Sequence, residues 1–260
     1  MVHIPGWENS EGRKAGCLLL PKGVKSTRFC DRLSDRIEVI PENQWDDYLQ
    51  QDTRINMDEV VPYVLDQDQV GSCAAEATTG GILDIRNFSG QPIVRLNPYG
   101  LYHFSGDGVD RGSNIDVNLR YARELGVPPL DLWPREKGYR NRPSDEAMEA
   151  AKQYRIVEFY DIQNRTEFGS ALLQGFVVVY GRDGHAILAV YLKDRRTIIF
   201  LNSWGNWGRE GRGEESIDRV TYGYGVYCIR TCTQNEAPIK LKVSELPPIP
   251  KFEPYPTIKD

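Results

Sequence analysis

Apolar positions change their rhythm once along this chain. Up to about residue 175 they recur at helical spacing, as in 115–125, where Ile115, Leu119, Ala122 and Leu125 share one face. Similar patterns predict helices over 74–87, 97–105, 144–153 and 167–174. In the first of these, Thr78, Thr79, Gly80 and Gly81 weaken the middle, and the glycines imply close packing against a neighbour. From Phe176 onward the texture becomes FVVVYG, HAILAVYL, TIIFLN and GVYCIR, short β-branched and aromatic runs separated by turn residues, which predict strands. Helices first and strands afterwards, without βαβ alternation, predict an α+β protein of two lobes, one helical and one strand-rich with an antiparallel or barrel-like sheet. A cleft between such lobes is a natural site.

Both ends lack this periodicity. Residues 1–44 mix Gly, Pro, Lys and Asp and predict an extended arm with one short strand at 36–40. Residues 237–260 contain six prolines and predict an extended tail. The folded domain is therefore expected over 45–236, with the termini as candidate contacts to a larger assembly.

Composition narrows the class. At 40% hydrophobic and 27% charged residues the 260-residue chain falls in the ordinary globular range, which excludes wholesale disorder and collagen-like repetition. Its longest apolar runs fall far short of the ~20 residues needed to cross a bilayer, and the first residues lack the apolar stretch of about 7–15 that marks a secretory signal. A cytoplasmic or virion-associated location is expected. The 32 basic and 37 acidic side chains are spread without a long run of one sign, so neither a nucleic-acid nor a membrane partner is expected. The five cysteines cannot all pair within one chain. Cys228 and Cys232 on one strand would lie about 13 Å apart, too far for a disulfide. Neither cysteines nor histidines show metal-ligand spacing.

The chemistry concentrates at a few positions. A Gly71-Ser72 turn places Cys73 in the first turn of the following helix, where unpaired N–H groups and aligned peptide dipoles stabilise a thiolate, so the expected pKa lies below the free value of ~8.5. The base must come from His3, His103 or His185. His185 is the best placed, because it opens a strand-like run after Gly184. Asn202, ending the next strand of the hairpin that this pattern predicts, can accept a hydrogen bond from the ring while Trp204 excludes water.

With these residues in view, the chain resembles the papain family of cysteine peptidases, and is closest in DRGSNIDVNLRYARELGVPP to bacterial and viral members. Gln67 with five residues before Cys73, the Gly-Ser-Cys turn, Gly184-His185-Ala186 and Asn202-Ser203-Trp204-Gly205 occur in the family's order. The resemblance implies a two-lobed papain-like fold and a thiol peptidase acting on polypeptides without metal or organic cofactor. It implies Cys73 as nucleophile, His185 as base and acid, Asn202 as ring-orienting residue and Gln67 as oxyanion donor. Gly71, Ser72, Gly112, Ser113, Ala186 and Trp204 then line the substrate cleft. Departures are Val70 in place of a disulfide cysteine, Ala74 in place of an aromatic, which opens the cleft wall, and a trimmed strand lobe. Cys73 and His185 stand 112 positions apart, against about 130–150 in the family. The arm is short for an inhibitory prodomain, so zymogen activation is not expected. A second expectation, motivated by the trimmed cleft and proline-rich tail, is a papain-fold structural or binding component of an assembly such as a virion. A third is amide transfer or deamidation through the same acyl-enzyme.

Overall fold

The computed structural model describes residues 13–18, 30–51, 63–223 and 225–233. Among these, six strands form one antiparallel sheet: β1 (Ile156–Asp161), β2 (Val177–Arg182), β3 (His185–Leu192), β4 (Thr197–Leu201), β5 (Arg212–Ser216) and β6 (Val226–Cys232), in the order β1-β6-β2-β3-β4-β5. The uninterrupted apolar runs in β2 and β3 follow from burial on both faces. One face gathers Val177, Val179, Leu188, Val190, Ile199 and Ile229 into a core with residues of α2 (Cys73–Phe88), α3 (Pro98–Ser105) and α4 (Ile115–Glu124). The opposite face gathers Val178, Tyr180, Ile187, Ala189, Ile198 and Phe200 with Trp45 from α1 (Trp45–Gln51) and Phe168 and Leu172 from α6 (Arg165–Leu173). The remaining helix, α5 (Asp145–Ala151), is capped by Ser144, whose hydroxyl accepts from the Ala147 N–H at 3.2 Å. The architecture is the expected α+β class.

The glycines in α2 do what their positions imply. A Cβ on Gly81 would lie 2.5 Å from Ile229 Cδ1, and one on Gly80 would lie 3.3 Å from Leu188 Cδ2. The helix therefore reaches the sheet closely enough to set its N-terminus beside the start of β3.

Three elements were not legible in the apolar pattern. β1 is partly exposed and has irregular pairing with β6. β5, reading RGEES, contains no apolar side chain and exists through its backbone pairing with β4. α1 is a short helix that delivers Trp45 onto Gly169, where a Cβ would lie 2.2 Å from the indole. The expected strand at 36–40 is absent. That segment follows a 3-10 turn at Leu33–Asp35 and is held by side chains, with the Ile40 N–H donating to Ser170 Oγ at 2.9 Å and Trp45 Nε1 donating to the Ile40 carbonyl at 3.1 Å. The tail at 237–260 lies outside the described residues, as does His3. Cys228 and Cys232 share β6, and all five cysteines are thiols. Among the described residues no helix is long and apolar enough to cross a membrane.

Candidate active site

The loop before α2 is tied to the segment after β4. The Gln67 N–H donates to the Ser203 carbonyl at 2.8 Å and the Gly205 N–H to the Leu65 carbonyl at 3.1 Å. Asp68 sits at φ 53°, a left-handed conformation that Asp tolerates better than most residues. Beneath the loop, buried Arg135 reaches the Asp66 carbonyl, Asp68 Oδ2 at 3.2 Å and Glu76 Oε1 at 3.5 Å, and lies over the Tyr99 ring at 4.1 Å. The Tyr99 hydroxyl donates to the Gln67 carbonyl at 3.0 Å. This network anchors Gln67 against the start of α2, where Cys73 is the first helical residue.

A tight turn positions the histidine. Arg182 faces His185 across the β2–β3 hairpin, and the two residues between them, Asp183 and Gly184, have φ values of 50° and 79°. Positive φ at both central residues is the hallmark of the primed turns that match strand twist, for which Asp-Gly is a favoured pair. His185 Nε2 and Asn202 Oδ1 are 2.8 Å apart. Because a carbonyl oxygen only accepts, Nε2 carries the hydrogen, and in the neutral ring Nδ1 carries the lone pair. Trp204 lies against the imidazole with centroids 4.7 Å apart. Backbone N–H groups of Ala186, Gly16 and Ala74 are directed at the Cys73 sulfur, which sets it beside the residue that follows His185.

Cys73, His185, Asn202 and Gln67 are all buried, and all but Asn202 are completely so. The chain's own residues 13–18 contribute to this by crossing the site. The Ser113 N–H donates to the Gly16 carbonyl at 2.8 Å, the Cys17 N–H to the Gly184 carbonyl at 2.8 Å and the Leu18 N–H to the Ser113 carbonyl at 3.1 Å. Gln67 Nε2 spends one N–H on the Val70 carbonyl at 2.7 Å and the other on the Lys14 carbonyl at 2.8 Å. Its Oε1 accepts from Ser203 Oγ at 2.9 Å. Only glycine fits at the crossing, since a Cβ on Gly16 would lie 2.0 Å from the Gly71 carbonyl oxygen.

Covering reverses the electrostatics expected of a helix N-terminus. Burial pushes the Cys73 thiol up to about 11 despite the three N–H groups aimed at it. It pushes the His185 imidazole down to about 4, with the Asn202 hydrogen bond acting in the opposite direction. The covered pair is thus thiol and neutral imidazole, because the loss of water outweighs the helix-start stabilisation of a thiolate.

Two buried carboxyl groups on α2 have a further consequence. Burial raises Glu76 from 4.5 to about 7 and Asp84 from 3.8 to about 7, opposed by Arg135 and Arg212 respectively. Their contribution to stability is full below the unfolded pKa values and is lost as pH rises through about 7. His185 acts oppositely: its contribution is present above 6.5 and is lost as pH falls through about 4. Two groups outweigh one, so thermal melting is expected several degrees higher at mildly acidic than at mildly alkaline pH. Combining Glu76→Gln with Asp84→Asn should flatten the profile. A melting temperature that rises with pH across neutrality would contradict this.

No family model matches the sequence, and no curated protein matches it. Solved structures do match. Xylellain, a cysteine protease from Xylella fastidiosa, aligns with a TM-score of 0.62 at 20% identity, covering 84% of this chain and 97% of its own. Digestive procathepsin L 3 of Tenebrio molitor aligns at 0.55 and 18% identity, covering 68% of this chain and 67% of its own. The ragweed cysteine protease Amb a 11, in its proform, aligns at 0.56 and 15%, covering 69% of this chain and 65% of its own. The chain has the papain-like cysteine-protease fold.

In this papain-like arrangement Gly71, Gly112 and Ser113 border the strap formed by 13–18, while Ala186 aims its N–H at Cys73. A Cβ on Gly112, at φ 82°, would lie 2.4 Å from the Gly16 carbonyl oxygen. Ser72 is different: its hydroxyl donates to Glu76 Oε1 at 3.3 Å and is fully buried, so it offers no side-chain hydroxyl to the cleft. Gln69, near Gln67 in sequence, is exposed. Ala74 is completely buried. Arg13, Lys14, Asp66, Asp110, Tyr102 and Arg135 were not singled out as site residues by the sequence. The charged residues among them carry no periodic signal, and Arg13 meets Asp66 across 53 positions.

Proposed function

We propose that this chain is a papain-like thiol peptidase whose cleft is covered by its own strap. The observation that carries the reading is the convergence of Gln67, Cys73, His185 and Asn202 on one buried point, with the imidazole hydrogen-bonded to Asn202 at 2.8 Å. Once the strap leaves and water returns, the Cys73 proton passes to His185 Nδ1 and the thiolate attacks the peptide carbonyl. Gln67 Nε2–H, released from the Lys14 carbonyl, and the Cys73 N–H hold the oxyanion. The imidazolium then protonates the leaving amine, and water resolves the thioester with regeneration of the thiol. Asn202 keeps the ring in the tautomer that the first step needs, and Trp204 shields that hydrogen bond from water.

The test is intact-mass and peptide-mapped labelling with an epoxysuccinyl thiol-peptidase inhibitor. Modification confined to Cys73, slow in the full chain and lost in His185→Ala, is the expected result. A second reading, a papain-fold structural component, is favoured by the complete burial of Cys73 and His185. Absence of Cys73 labelling in the full chain and in a chain with the strap displaced would decide for it.

A further inference from the structure

The strap carries two neighbouring cations, and each meets a carboxylate already held by other groups. Arg13 forks across Asp66, with Nη1 on Oδ1 and Nη2 on Oδ2 at 3.1 Å, and it also donates to the carbonyls of Asp68 at 3.0 Å and Trp204 at 3.4 Å. Lys14 Nζ reaches Asp110 Oδ2 at 2.6 Å and the Asp110 carbonyl at 2.9 Å. Asp110 is fixed from behind, its Oδ1 accepting from the Gly71 N–H at 2.8 Å and the Tyr102 hydroxyl at 3.1 Å. Asp66 Oδ1 accepts from the Asp68 N–H at 2.9 Å. Neither carboxylate depends on the strap for its position, so both remain in place as acceptors when the strap leaves. The course of the strap orders the cleft: Arg13 lies beside Trp204, Gly16 at Cys73, and Cys17 and Leu18 along Ser113 and Gly184.

We infer that the uncovered cleft selects polypeptides bearing two neighbouring basic residues on the Gln67–Trp204 side of Cys73, with Asp66 and Asp110 as the specificity-determining residues. This rests on the reading of the cleft as the peptide site of a thiol peptidase. The spacing is that of the strap itself, in which Arg13-Lys14 stands two to three residues from the glycine over Cys73. Arg at the Asp66 position satisfies both carboxylate oxygens at once, a geometry that Lys cannot reproduce.

The test uses fluorescent peptides with a central glycine, carrying Arg-Lys on either side of it, and Ala-Ala counterparts. Binding is measured by anisotropy to the full chain bearing Gly16→Ala and Cys73→Ala. Should that chain fail to fold, the full chain bearing Arg13→Ala, Lys14→Ala and Cys73→Ala, with its backbone unaltered, replaces it. The basic peptide is expected to bind at least about tenfold tighter at low salt, with the difference shrinking at high salt. Asp66→Asn and Asp110→Asn should each remove part of the difference and together most of it, since Asn keeps the inward hydrogen bond and loses the charge. Equal binding of basic and neutral peptides overturns the inference. Hydrolysis of both peptides at equal rates by the chain retaining Cys73 overturns it as well, while leaving the peptidase reading intact. Selective binding of the basic peptide without hydrolysis of any peptide supports charge recognition and overturns the peptidase reading instead.

Discussion

Gly16→Ala is expected to raise the labelling rate of Cys73 by roughly five- to 150-fold, the range that corresponds to the ~1–3 kcal/mol typical of overpacking. The added methyl would meet the Gly71 carbonyl oxygen at 2.0 Å, far inside ordinary contact. Gly71 has little freedom to retreat, because its N–H is bound to Asp110 and its residue leads directly into α2. The strain therefore falls on the strap, which is held by backbone hydrogen bonds at Gly16, Cys17 and Leu18, by Gln67 on the Lys14 carbonyl, by the buried Cys17 side chain and by two partly exposed ion pairs. Such ion pairs contribute little each. Leu18→Ala, which trims an exposed side chain and keeps the Leu18 N–H, should leave the rate unchanged. An unaltered rate in a correctly folded Gly16→Ala chain would mean that the strap does not control access. Short as the arm is for an inhibitory prodomain, its residues 13–18 still cross the cleft.

In the Gly16→Ala background, Cys73→Ala is expected to lower peptide hydrolysis by roughly 10³-fold or more, the scale of losing one member of a catalytic triad. His185→Ala should cause a comparable loss, and combining the two should add little, because groups that act as a unit fail together. Cys73→Ala removes one sulfur from a well-packed site and preserves the helix start, so the unfolding midpoint should hold. Steady-state hydrolysis with parallel urea unfolding reads both effects. Residual activity near that of the parent chain would remove Cys73 from the mechanism, whereas activity and stability lost together would show damage to the fold.

Local physics made much of this site legible from sequence. The Gly71-Ser72-Cys73 turn into α2, the Asp183-Gly184 turn into β3 and the placement of Asn202 after β4 each depend on a few adjacent residues, whose conformational preferences are written into their types. The same holds for the apolar runs of β2, β3 and β4, which could be stable only under cover on both faces. β5 was not legible, because its pairing is a property of the backbone of β4 and RGEES has no apolar face to declare it. Nor was the state of the cysteine. A helix start promises a thiolate, but the promise holds only in water, and a segment more than fifty residues away in the chain helps to keep water from Cys73. The sequence by itself determined the fold class and the residue types gathered at the cleft, since both follow from short-range pattern. Only the tertiary structure decided that the cleft is covered, that Gln67 already holds a carbonyl and that Asp66 and Asp110 face cations, because charges and glycines acquire those roles from the neighbours that folding brings to them.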